Sequence, residues 1–297
     1  MTTGKKVREA VRRERPWQVV GAIHALAAKL AEAAGFRAVY LSGAGVANAS
    51  FGLPDLGFTT LEQVAEEVKK IRDATDLPVL VDIDTGWGRN LFTGRTMKLL
   101  HRAGAAAVHL EDQIEMKRCG HRPGKRLVTT EEMVRRIRAA VKTRPHRDMV
   151  VMARTDAAAV EGLDAAIHRA KAYAEAGAEM IFAEALGSLA AYEKFTRAVR
   201  VPVLANMTEF GKTPMFTLKQ FRSAGIRLVL YPLSAFRAMN AAAEIVYQTI
   251  RRRGTQRSVL GRMQTRKELY QLLDYQRAEK HADRKLPKRR EPRRINS

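Results

Sequence analysis

The sequence predicts a (β/α)8 TIM-type barrel with an additional C-terminal helical segment, and three observations carry that reading. Eight short apolar runs recur along the chain, each followed by polar residues and then by a segment with helical spacing. An Ala-Gly pair precedes every second run. No Gly-rich dinucleotide loop follows any of them, which makes an open doubly wound sheet the second choice. The chain of 297 residues accommodates one such barrel, which takes about 250. Residues 1–283 are therefore expected to form one domain and residues 284–297 a basic, disordered tail.

The runs are Val19–Ile23, Ala38–Leu41, Val79–Ile83, Ala106–Leu110, Met149–Ala153, Met180–Ala183, Val201–Ala205 and Leu228–Tyr231. Between them, Leu61–Ala74, Thr130–Val141 and Leu163–Ala176 place apolar residues at helical spacing among good helix formers. Strands that alternate with helices pair in parallel through right-handed crossovers. Ala34-Gly35, Ala103-Gly104, Ala176-Gly177 and Ala224-Gly225 each close a helix just before a strand, where a left-handed cap favours Gly. The pattern is a βαβα unit used four times. After the eighth run, Ala235–Arg251 reads as the last barrel helix and Thr265–Asp283 as one additional helix.

The formal charge of +22 invites a nucleic-acid reading, which its distribution weakens. The first fifteen residues hold six Lys or Arg against two Glu, and Arg284–Ser297 holds seven against one. The rest is spread out, without an RNA-binding signature, zinc-finger spacing or aromatic stacking platform. A solvated basic surface is expected, with no nucleic-acid partner. The single cysteine excludes an internal disulfide, and the amino end has no secretory apolar region. No apolar run approaches the roughly 18 residues of a membrane span, so a cytoplasmic protein without membrane contact is the expectation.

In such a barrel, chemistry sits at the carboxyl ends of the strands. Ser42, Gly43, Asp82, Asp84, Glu111, Asp112, Arg154, Asp156, Glu184, Asn206, Thr208, Ser234 and Arg237 all fall there. Singly, most have duller explanations: Asp156 or Ser234 as a helix cap, Arg154 or Arg237 as an ion-pair partner of Asp156 or Glu184. Their convergence is the evidence. Asp82 and Asp84, two residues apart at a strand end with Glu111 at the next, favour a hard cation such as Mg²⁺. Arginines beside them suit a small, multiply carboxylated substrate, with Asn206 and Thr208 supplying neutral hydrogen bonds.

The most chemical stretch is Val108–Lys125, VHLEDQIEMKRCGHRPGK, where a buried strand runs into a charged, Gly- and Pro-punctuated loop. Cys119 stands there among Lys117, Arg118, His121, Arg122 and Lys125, and that positive charge is expected to favour its thiolate. His121 is either an acid–base partner or a loop hydrogen-bonding residue.

These motifs are recognisable together. YLSGAG (40–45), LPDLG (53–57), VDIDTGWG (81–88), HLEDQ with KRCGHRPGK, MARTDA (152–157), NMTEFG (206–211), YPLSAFRAMN (231–240) and MQTRKELY (263–270) run in order over nearly the whole chain. They resemble the isocitrate lyase and phosphoenolpyruvate mutase superfamily, and KRCGH marks its carbon–carbon lyases. The similarity is greatest to those that cleave 2-methylisocitrate to pyruvate and succinate in propionate catabolism. Isocitrate lyases share the cysteine but are longer. The alternatives are isocitrate, dimethylmalate or oxaloacetate as substrate.

The resemblance implies a homotetramer whose last barrel helix is exchanged between subunits, with Mg²⁺ held by Asp82 and Asp84. Ser42, Gly43 and Ala44 would bind the pyruvate half with Arg154. Gly120, Glu184, Asn206, Met207, Thr208, Arg237 and Arg266 would surround the other carboxylates. Cys119 would be the catalytic acid, and Tyr40 or Asp55 the base. Two departures stand out: Ala44 replaces a usual Gly, and Ala183 replaces a Pro that commonly precedes the Glu.

Overall fold

The computed structural model describes residues 2–88 and 93–285. The eight apolar runs become β1 (Trp17–Gly21), β2 (Val39–Leu41), β3 (Val79–Asp82), β4 (Ala107–Glu111), β5 (Val150–Thr155), β6 (Met180–Ala183), β7 (Val203–Asn206) and β8 (Leu228–Tyr231). They close in sequence order, with β1 completing the barrel against β8 through Trp17–Leu228 and Val19–Leu230. β1 begins two residues before its apolar run because Trp17 joins this ladder, its N–H donating to the Arg227 carbonyl at 2.8 Å. The helices fall where the spacing places them. Leu61–Ala74 opens on a capping box of Thr60 and Gln63, and Thr130–Thr143 and Leu163–Glu175 depart from expectation by a residue or two. All four Ala-Gly pairs close a helix, their glycines having φ between 78° and 106°.

Strand alternation sorts the side chains into two layers. Val39, Leu41, Val81, Val108, Leu110, Val151, Ile181 and Val203 point outward and pack beneath the helices. Ala38, Tyr40, Leu80, Ala107, Met152, Phe182, Leu204 and Leu230 point inward and fill the barrel. Continuing the inward register to the carboxyl ends brings Asp82, His109, Glu111, Arg154, Glu184 and Asn206 to one mouth. Asp112 and Thr155 take the outward register instead. The Asp112 carboxylate accepts from Thr155 Oγ1 at 2.7 Å, Tyr173 OH at 2.9 Å and the Asp156 N–H at 2.9 Å, with Arg169 3.8 Å away. Asp112 is thus a buried frame anchor. Asp112→Ala is expected to lower unfolding free energy by about 3 kcal/mol, since Arg169 and two hydroxyls lose their buried acceptor; urea denaturation measures this.

Helix Thr3–Arg13 has no counterpart among the helices expected from the sequence. Val7, Ala10 and Val11, at helical spacing, join the inner layer at the amino ends of the strands and close the barrel floor. Arg8 fixes the helix there, its Nε donating to Glu179 at 2.6 Å and its Nη1 to the Asp148 carbonyl at 2.9 Å. The intervening polar residues had read as a basic terminus.

The chain divides into two compact units, residues 1–240 and 241–297. Helix Ser234–Arg253 starts in the first and continues into the second. The single helix expected over Thr265–Asp283 is two, Arg266–Leu272 and Tyr275–Lys285. They part at Asp274, whose φ of 49° is left-handed, a conformation Asp tolerates better than most residues. Of the expected tail, residues 286–297 lie outside the described residues. Among the described residues no helix is long and apolar enough to cross a membrane.

Candidate active site

At the barrel mouth one cavity of about 90 Å³ is lined by Tyr40, Ser42, Ala44, Asp55, Asp82, Lys117, Cys119, Gly120, His121, Arg154, Phe182, Glu184, Asn206, Thr208, Leu230, Pro232, Leu233 and Arg237. On one side stand the carboxylates of β3. Asp82 Oδ1 accepts the Asp84 N–H at 3.0 Å, while its Oδ2 accepts the Gly43 N–H at 3.2 Å and the Tyr40 hydroxyl at 3.3 Å. Burial alone would raise the Asp82 carboxyl; His109, Lys117, Arg154 and the Asp84 amide more than offset it and hold it below the usual carboxylate range. Burial raises Asp84 to about 6, the charges of Asp82 and Asp55 adding to the effect and Lys117 opposing it.

The oxygen set fits a hard cation. Asp84 Oδ1 meets the Lys117 ammonium at 2.8 Å without a well-directed hydrogen bond, and neither buried Glu111 oxygen receives one, Arg154 Nε lying 3.3 Å from Oε2. Spare carboxylate lone pairs at this density suit Mg²⁺ completed by water and substrate oxygens. Among the described residues no group of three or more His, Cys, Asp or Glu side chains forms a full protein cage.

Facing the same point is the amino end of helix Gly43–Phe51, a nine-residue element absent from the expected helices. Its N-cap Ser42 makes no side-chain cap bond; the Gly43 N–H is given to Asp82, which leaves the Ala44 and Gly45 N–H groups to an anion. Gly43 keeps this end close to the acids: a Cβ there would lie 3.2 Å from Asp84 Oδ1 and 3.3 Å from Asp82 Oδ2. Ala44 is ordinary helix, so its Cβ is accommodated. Ala183 faces outward into the strand–helix layer, and the local strain falls instead on Ala185, with φ 57° and its N–H donating to Glu184 Oε1 at 3.0 Å.

Opposite the acids, Arg154 is held by three of its own carboxylates. Nε donates to Asp156 Oδ2 at 3.0 Å, Nη2 lies 3.0 Å from Glu184 Oε2, and Glu111 lies on the third side. Burial would raise Glu184, but Arg154, His121 and Asn206 hold it well below the ordinary range, so it stays charged. Asp156 makes no side-chain cap bond to the turn it precedes and serves as an ion-pair hub. Ser234 hydrogen-bonds Glu209.

The Cys119 loop lies across this mouth. His121 docks it on the far side, its Nδ1 accepting the Lys212 N–H at 2.9 Å and its Nε2 lying 3.1 Å from Glu184 Oε1. Lys117 pairs with Asp55 and Asp84 on the near side. The loop's buried lysines are paired with carboxylates, Lys117 with Asp55 and Asp84 and Lys125 with Asp156. Gly120 permits the close approach, since a Cβ there would lie 2.4 Å from Arg154 Nη2 and 2.6 Å from Glu184 Cγ. Gly120→Ala should lower kcat by about 100-fold, because a displacement of that size misplaces Cys119; steady-state kinetics beside a thermal melt separates this from unfolding.

Most of the expected site residues of the first unit gather here, and Asp112, turned to the helix layer, does not. Met207 packs its side chain into the strand–helix layer, and its N–H donates to the Leu230 carbonyl at 2.7 Å. Arg266 opens helix Arg266–Leu272 in the second unit. Sequence reasoning missed His109, which lies 2.9 Å from the Tyr40 hydroxyl and which burial brings down to about 4, hence neutral at physiological pH. Its inward register, two residues before Glu111, was the available signal. It also missed the apolar wall of Phe182, Leu230, Pro232 and Leu233.

A family model described as phosphoenolpyruvate phosphomutase matches residues 7–251. The 2-methylisocitrate lyase of Escherichia coli (strain K12) is 57% identical over 281 residues, covering 94% of this chain and 95% of that protein. Among solved structures, a 2,3-dimethylmalate lyase, described as a PEP mutase/isocitrate lyase superfamily member, superposes with a TM-score of 0.87 at 32% identity, covering 96% of this chain and 95% of that one. Phosphonopyruvate hydrolase in complex with oxalate and Mg²⁺ superposes with a TM-score of 0.85 at 29% identity, covering 97% and 100%.

Proposed function

The chain belongs to the phosphoenolpyruvate mutase and isocitrate lyase family, and from that premise we propose that it cleaves 2-methylisocitrate to pyruvate and succinate with Mg²⁺. The observation that carries this reading is the placement of Cys119 over the cavity lined by Asp82, Arg154 and Glu184, in a chain 57% identical to a 2-methylisocitrate lyase. The apolar wall of Phe182, Leu230, Pro232 and Leu233 gives a substrate methyl group a surface to pack on within an otherwise polar cavity.

Asp82 and Asp84 would hold the metal, directly or through water. Bound there, Mg²⁺ supplies positive charge to the alkoxide and to the neighbouring carboxylate as the bond breaks. The backbone of Ser42, Gly43 and Ala44 and the Arg154 guanidinium orient the half that becomes pyruvate. Asp55 is the better base, though it is released for that role only from its pairing with Lys117: burial raises the Tyr40 phenol well above its ordinary value, and its hydroxyl is engaged by Asp82 and His109. Removal of the hydroxyl proton sends that oxygen's electrons into a carbonyl, and the electrons of the broken carbon–carbon bond pass to the leaving fragment. Gly120, His121, Asn206, Thr208 and Arg237 surround that enolate-like form of succinate, and the Cys119 thiol protonates its carbon.

The assembly in this reading is a homotetramer with exchanged helices. Supporting it, helix Ser234–Arg253 has no buried residue, and Tyr247 is 73% exposed with Ile245 and Ile250 at 40% and 44%. The reaction is tested by assaying pyruvate and glyoxylate from 2-methylisocitrate and isocitrate offered separately. Pyruvate should dominate, and EDTA should reduce it at least about 100-fold with restoration by added Mg²⁺. Dominant glyoxylate from isocitrate, or cleavage that is indifferent to EDTA, overturns the assignment.

A further inference from the structure

The loop bearing Cys119 is gripped on both sides of the sulfur by two buried side chains that none of the chemistry above uses. Before the cysteine stands Gln113, fully buried, with both ends of its carboxamide on one residue. Its Oε1 accepts the Arg118 N–H at 2.9 Å, and its Nε2 donates to the Arg118 carbonyl at 2.8 Å. After the cysteine stands Lys125, whose side chain is 2% exposed; its ammonium donates to the Gly120 carbonyl and to Asp156 Oδ1, 2.9 Å away.

Both grips rest on fixed parts of the frame. Gln113 pairs with Leu127 across the loop base, and its carbonyl accepts from Arg136 Nη1 at 3.0 Å. Asp156 carries Arg154 on the same carboxylate and donates its N–H to Asp112 Oδ1 at 2.9 Å. Residues 118 and 120 are therefore tied to the barrel rim, and Asp156 gives Lys125 and Arg154 a common anchor.

We propose that Gln113 and Lys125 are positioning residues that hold the Cys119 thiol in its proton-delivering place, Lys125 doing so from the carboxylate that also aims Arg154. This rests on Cys119 being the acid of the proposed reaction. A side chain is placed by the backbone on both sides of it: Gln113 holds the 118–119 peptide unit, the Cys119 carbonyl accepts the Arg122 N–H at 2.9 Å, and Lys125 holds the following unit at the Gly120 carbonyl. A buried ammonium here does more than neutralise Asp156, which Arg154 already contacts at two points. It converts closure of residue 120 into a charge-assisted hydrogen bond.

Gln113→Glu and Lys125→Met test this. The first is isosteric but sets a carboxylate oxygen against the Arg118 carbonyl, and the second removes the ammonium while keeping the stem. In each, kcat should fall about 10- to 100-fold with KM within roughly threefold of the parent, and iodoacetamide should label Cys119 at least about fivefold faster in the resting enzyme as the loop loosens. A lower kcat with an unchanged labelling rate, or both quantities within twofold, overturns the proposal. If Lys125→Met melts early, Gln113→Glu decides. Labelling requires no substrate, so failure of the parent enzyme to cleave 2-methylisocitrate refutes the reaction while leaving the labelling ratio to judge the grip.

Discussion

Asp82→Asn lowers turnover by about 1000-fold or more and leaves the barrel folded. The substitution keeps the shape and the inward register of Asp82 but removes the charge that would hold the proposed cation. Stabilisation of a developing alkoxide by such a cation is worth several kcal/mol, and about 4 kcal/mol corresponds to that loss of rate. The fold tolerates the change because the partners of Asp82 are two backbone N–H groups and a hydroxyl rather than the hydrophobic layers. Its charge also helps to keep Asp84 near 6, so Asp84 should titrate lower in the variant. Isothermal titration with Mg²⁺ should show weakened binding alongside the lost turnover. Retained turnover with normal Mg²⁺ affinity would move the metal to other ligands.

Cys119→Ser comes second, with kcat reduced by about 100- to 10000-fold, the range over which a positioned general acid acts. The hydroxyl keeps the geometry set by the loop but donates its proton far less readily than a thiol. KM should change little, since in the proposed reaction the substrate carboxylates are held by Arg154, Asn206 and the backbone around Ser42. A variant within tenfold of the parent would assign protonation to another group, with His121 first in line because it lies 3.1 Å from Glu184 at the same mouth. A raised KM with unchanged kcat would make Cys119 a binding residue only.

What was legible in the sequence was periodic or local. The β-branched runs announced the strands, the Ala-Gly pairs announced the turns into them, and alternation from Leu80 to Asp82 or from Met152 to Arg154 placed acids and arginine inside. Partnership across the barrel was not legible. Nothing at Lys117 says that it will meet Asp55 and Asp84, and nothing at Lys125 says Asp156, because these pairings depend on how a loop folds back over the mouth. Asp112 stands next to Glu111 and reads the same, yet one residue of register sends it to the helix layer. Helix Thr3–Arg13 was hidden because its three inward residues are diluted by the cations that solvate its other face. The break at Asp274 is hidden for a different reason: a left-handed Asp leaves no composition signal.

The floor of the barrel is sealed by Val7, Ala10 and Val11, and the interior above it is packed solid up to Tyr40 and Phe182. Traffic is therefore one-ended. Substrate enters, and both fragments depart, through the aperture that Cys119 and its neighbours cover, so the loop must clear the opening twice in every cycle.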